Sequence, residues 1–108
     1  MSARSSVYAG FGVVQMTEEL RKEIERAAAV LKEFGAKEVY VFGSAATGSL
    51  TEDSDVDLAV AGLPPRSFIR AMGKAGRVLS RQLDLLDLDE DSLFTRYLKR
   101  EGKLLRVA

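Results

Sequence analysis

The stretch VYVFGSAATGSLTEDSDVDLAV, residues 39–60, decides the fold and points to the chemistry. Its opening run, Val39 to Phe42, is apolar and strand-like and stops at Gly43-Ser44. Small residues follow, closed by Gly48, and then an acidic turn. Asp55-Val56-Asp57 heads a second apolar run. Side chains two apart on a strand share a face, which would set Asp55 beside Asp57. Two carboxylates so placed repel by roughly 3 kcal/mol at ~6 Å and an effective dielectric near 20, so the pair calls for a cation. Hard divalent ions such as magnesium take oxygen ligands and keep positions open for phosphate. The Gly43-Ser44 turn can offer backbone N–H groups and a hydroxyl to an anion, above all where a helix starts. A phosphate cradle facing a carboxylate pair is the arrangement that metal-assisted phosphoryl or nucleotidyl transfer needs.

Rival motifs fail on the same residues. Gly43 to Gly48 has the glycine spacing of a P-loop, but Ser49 stands where the lysine must be. Asp53, Asp55 and Asp57 mimic the start of a calcium-binding EF-hand loop, yet Leu58 replaces its glycine and Pro64 its closing glutamate. The remaining alternative is a solvated acidic turn between two core strands.

Gly43-Ser44, a short spacer closed by Gly48, and then Asp55-x-Asp57 together resemble the signature of the DNA polymerase beta-like nucleotidyltransferases. The short chain is most similar to the minimal nucleotidyltransferase branch, often paired with a HEPN-family protein. The resemblance covers residues 37–88 well and 101–105 more loosely.

Composition sets limits. The chain has 108 residues, enough for one small domain with a modest core. Lysine plus arginine number 16 and aspartate plus glutamate 16, so the net charge is zero. That argues against a protein living on the phosphate backbone of long nucleic acid. Without cysteine there is no disulfide framework and no thiolate zinc site. Without histidine, acid–base work falls to carboxylates. No apolar run approaches the ~20 residues of a membrane span, and the expectation is a soluble, cytoplasmic protein.

Along the chain, residues 1–15 read as a flexible arm and 16–108 as the folded domain. Residues 17–34 predict a helix capped by Thr17, with Leu20, Ile24, Ala27, Ala28 and Leu31 as its apolar stripe. Strands are predicted at 37–42, 56–61 and 82–88, a short helix start at 44–48, and helices at 66–80 and 92–100. Gly73 and Gly76 weaken the second main helix. Asp89 to Asp91 offer several N-caps to the last helix, and an apolar tail follows at 104–107. Helices alternating with strands imply an α/β fold, a small mixed sheet flanked by helices.

The third strand carries Asp84 and Asp87, which period 2 sets on opposite faces. At most one can join Asp55 and Asp57. The resemblance selects Asp84, because the family carries a third aspartate inside such an apolar strand; Asp87 reads as a turn or cap residue.

The resemblance implies a polymerase beta-like fold and a mechanism. A pair of magnesium ions, or manganese in their place, would be held by Asp55, Asp57 and Asp84, with ATP as the nucleoside triphosphate substrate. Asp84 would also accept the proton of the acceptor hydroxyl, and Gly43 and Ser44 would hold phosphates. The implied acceptor is a tyrosine of a HEPN-family toxin, silenced by AMP addition, which makes this chain an antitoxin. Many relatives place a basic residue just before the closing glycine, where this chain has Thr47; Ala45 is uncharged too. Lys74, Arg77, Arg81 or a partner would then have to supply positive charge. The competing expectation is a catalytically weak module that neutralises its partner by contact, with the tail at Leu104, Leu105 and Val107 as a candidate contact surface.

Overall fold

The structure, a computed structural model, describes residues 17–108; the expected arm at 1–15 lies outside them. Helix α1 (Glu18–Glu33) starts where the Thr17 hydroxyl accepts the Leu20 amide at 3.0 Å. Its five expected apolar residues are all buried, so one stripe faces the core. Strand β1 (Glu38–Phe42) leads into the single-turn helix α2 (Ser44–Thr47), and β2 (Val56–Ala61) follows the acidic turn.

The next helix is shorter than the sequence suggests. A 3-10 turn, Pro65–Ser67, feeds α3 (Phe68–Arg77), and residues 78–80 leave the helix. Pro65 lacks an amide and suits only an opening turn. At the other end, the Ser80 amide and hydroxyl both donate to Glu23 Oε1, at 2.8 and 2.9 Å, which pulls the chain off the helical path toward α1. Strand β3 (Leu83–Asp87), helix α4 (Leu93–Glu101) and strand β4 (Leu105–Arg106) complete the fold. Ser92, not one of the aspartates before it, caps α4 through a reciprocal pair of hydrogen bonds with Thr95.

The sheet order is β3-β2-β1-β4. β1 pairs antiparallel with β2 and with β4, while β2 and β3 run parallel, joined through α3. The sheet is therefore mixed and flanked by helices, as expected. Val39, Val41, Val56, Leu58 and Leu85 meet α1 and α3 on one face. On the other face Phe42, Ala59 and Leu88 pack with Leu98 of α4. The tail pairs Val41 with Leu105, so it forms a sheet edge. No helix among the described residues is long and apolar enough to cross a membrane.

Candidate active site

Strand alternation places the carboxylates. Val56, Leu58 and Leu85 point into the core beneath α1 and α3, so Asp57 and Asp84 project from the opposite face, the α4 side. The parallel register pairs Asp57 with Asp84 directly. Their carboxyl groups are near enough to act on each other through charge and, once one is protonated, through a shared proton. Burial first, then the charge of Asp84, the charge of Asp55 and the hydrogen bond with Asp84, push the Asp57 carboxyl up from 3.8 to about 6. Asp87 has the other parity, and its Oδ1 accepts the Asp89 amide at 2.9 Å, a turn contact.

Asp55 departs from expectation. Strand β2 begins at Val56, as predicted, so Asp55 is not on the strand with Asp57 but stands at its lip, exposed to solvent. Its effect on Asp57 is through charge alone, and ranks below that of Asp84. The stronger carboxylate neighbour of Asp57 is thus Asp84, its register partner across two strands, rather than Asp55 along the chain. The turn that carries Asp55 is pinned from outside. Ser54 Oγ accepts the Thr51 amide at 2.8 Å. Arg81 Nη1 donates to the carbonyls of Thr51 and Ser54, at 2.6 and 2.9 Å. Arg81 was a candidate for neutralising phosphate; the structure employs it to fasten this turn to the start of β3. Nothing in its sequence neighbourhood signals that contact.

Gly43 is required twice. Its φ of +71° is left-handed. A Cβ there would also lie 2.2 Å from Asp57 Oδ2. Its carbonyl accepts the amides of Ala46 and Thr47, both at 3.1 Å, which turns the chain into α2. The amides of Ser44 and Ala45 meet no acceptor among the described residues. Thr47, where the resemblance leads one to expect a basic residue, donates its hydroxyl to the Gly43 carbonyl at 3.2 Å and so braces the loop.

The donor set suits a hard divalent ion: carboxylate oxygens that repel one another, beside a turn whose glycine leaves room for them. Among the described residues no three acidic side chains are gathered into a ready metal cluster. Asp57 and Asp84 are together; Asp55 is near enough to be felt by Asp57 and would have to lean in.

Lys74 and Arg77 sit elsewhere. They line a groove of about 400 Å³ with Phe34, Ile69, Arg70 and Gly73. None of the three carboxylates lines it.

Comparison with known proteins fits this arrangement. The family model described as polymerase beta, nucleotidyltransferase matches residues 18–107. None of the curated proteins matches the chain. Among solved structures, one described as a minimal nucleotidyltransferase is 25% identical, with a TM-score of 0.67, over 92% of this chain and 99% of that one. A toxin–antitoxin complex with AMP-PNP is 22% identical, TM-score 0.62, covering 80% of this chain and 70% of that chain. A complex of tri-AMPylated Shewanella oneidensis HEPN toxin with MNT antitoxin is 18% identical, TM-score 0.58, covering 81% and 70%. At those two identities the likeness speaks for the fold.

Proposed function

The chain belongs to the polymerase beta nucleotidyltransferase family, and from that premise we propose that it transfers AMP from ATP to a tyrosine hydroxyl of a HEPN-family toxin, acting as its antitoxin in the cytoplasm. The observation that carries this is the side-by-side placement of Asp57 and Asp84 next to the Gly43-Ser44 turn. The AMP-PNP bound in one neighbour and the AMPylated toxin in another support the choice of nucleotide and acceptor.

Asp55, Asp57 and Asp84 would hold magnesium or manganese, which supplies charge neutralisation for the triphosphate and acidity for the acceptor hydroxyl. The chain's own groups do the rest. Ser44 and the amides of Ser44 and Ala45 meet phosphate oxygens. Asp84 takes the hydroxyl proton as the tyrosine oxygen bonds to the α-phosphorus and pyrophosphate leaves. With no histidine in the chain, no imidazole competes for that role. Gly43 keeps the Asp57 carboxylate in place by having no side chain.

One observation favours a second reading. Ala45 is buried and Thr47 is occupied by a backbone carbonyl, so the loop lends no positive charge to a triphosphate. A chain that bound nucleotide weakly would neutralise its partner by contact instead.

The test is co-expression with a HEPN-family partner. Labelled ATP and magnesium should mark the partner's tyrosine with wild-type chain, and not with Asp57→Ala. In calorimetry, Asp55→Ala should lose the metal-dependent ATP signal. Toxin silencing that survives Asp57→Ala would hand the case to the contact reading.

A further inference from the structure

Helix α4 presents three exposed large apolar side chains, Leu93 at 82%, Phe94 at 49% and Tyr97 at 44% exposure. Among the described residues, only Phe94 of the three is anchored to the sheet by another ring. Its centroid stands 5.9 Å from that of Phe42, with the planes at 67°. Phe42 is the last residue of β1, adjacent in the chain to Gly43, and it is the register partner of Asp57. Both residues project from the α4 face of the sheet, since Val41 and Leu58 between them take the other face. The route from Asp57 to the Phe94 ring is one strand spacing, about 4.8 Å, and then one ring contact. A nucleotide spans such a distance from its phosphates to its base.

Resting on the nucleotidyl-transfer reading, we propose that the exposed side of the Phe94 ring is the platform on which the nucleobase stacks. The edge contact with Phe42 fixes the orientation of the ring before any ligand arrives, so stacking needs little further ordering. Every base has a π-face, and a single aromatic platform is tolerant of base identity. The site would therefore hold nucleotides with modest discrimination between bases, its affinity shared between stacking and phosphate contacts. This would offset part of the missing positive charge at Ala45 and Thr47. Leu93 and Tyr97 extend the same patch outward, away from the ring pair.

The experiment compares two ligands on full-length chain, by calorimetry with manganese: ATP, which has a base, and inorganic tripolyphosphate, which does not. The variants are Phe94→Ala, Phe94→Trp and, as a control on the same helix, Leu93→Ala. Phe94→Ala should weaken ATP roughly 10- to 100-fold and leave tripolyphosphate unchanged, and Phe94→Trp should restore ATP. Leu93→Ala should alter neither. Equal loss of both ligands in Phe94→Ala would make the ring a structural brace and overturn the proposal. So would unchanged ATP affinity with a raised KM for the protein acceptor, which would give the ring to the partner. Wild-type chain that binds neither ligand would sink the nucleotidyl-transfer reading itself, and this inference with it.

Discussion

A methyl group on Gly43 would lie 2.2 Å from Oδ2 of Asp57, closer than any atoms can rest. The turn and the carboxylate therefore share one volume, and the turn yields it. Gly43→Ala should displace Asp57 and strain a backbone at φ +71°. With ψ at −146° this is a conformation that favours glycine strongly, and it costs a residue with a Cβ on the order of 1–3 kcal/mol. We expect lower stability by that order and loss of metal-dependent nucleotide binding, read by urea unfolding and calorimetry. Wild-type ATP affinity in Gly43→Ala would show that Asp57 can move without consequence.

The crowding at Asp57 also has a pH signature. Its folded pKa, about 6, lies above the ordinary 3.8. Between those values the folded chain binds more protons than the unfolded one, so this group lowers stability as pH rises from 3.8 to about 6. Above that window the full penalty is present; below it there is none. In metal-free buffer, Asp57→Asn should melt higher than wild type at neutral pH. The advantage should shrink as pH falls through the window. A melting-temperature difference independent of pH would contradict the assignment.

Asp84 and Asp87 separate chemistry from proximity in sequence. Asp84→Asn keeps the size of the side chain but removes charge and basicity beside Asp57. Loss of a general base costs ~10²–10⁴ in rate, and ATP affinity should fall much less. Asp87→Asn touches only the contact to the Asp89 amide, of order 1 kcal/mol. Transfer rates and circular dichroism on both variants decide. A dead Asp87→Asn beside an active Asp84→Asn would reverse the roles.

Arg81 should matter without touching substrate. Its two contacts hold the Thr51 and Ser54 carbonyls. Arg81→Ala should lower stability by about 1–3 kcal/mol and weaken metal binding several-fold by loosening Asp55. Denaturant titration and metal calorimetry test this; unchanged metal affinity would separate the turn from the site.

Gly73 lies mid-helix in α3, and a Cβ there would meet nothing within 4 Å. Gly73→Ala should therefore stabilise the fold by about 1 kcal/mol, the ordinary helix preference, with transfer unchanged. A lower melting temperature would mean that the space is used by something else.

What could be read from sequence was local. Strand β2 is where its apolar run ends at Gly62, α1 follows its stripe and its Thr17 cap, and Gly48 closes α2 in a left-handed turn. Period 2 was enough to separate Asp84 from Asp87. What could not be read depends on distant partners. Glu23 ends α3 by capturing Ser80, Arg81 reaches back to Thr51, and Asp89 accepts the Gly62 amide at 2.7 Å. The strength of the Asp57–Asp84 pairing is hidden from the sequence for the same reason. Nearness along the chain favoured Asp55, while strand pairing brought Asp84 closer.

That pairing also governs how long the site lasts. Asp84 sits on β3, which among the described residues is an outer strand paired with β2 alone. Outer elements open at lower free energy than the whole fold. When β3 frays, Asp57 loses the neighbour that repels it and, in the proposed mechanism, the chain loses its proton acceptor, while α1, β1 and β2 remain folded. Catalytic competence is then an occupancy, the fraction of time that one edge strand stays zipped. Amide hydrogen exchange along β3 would measure it directly.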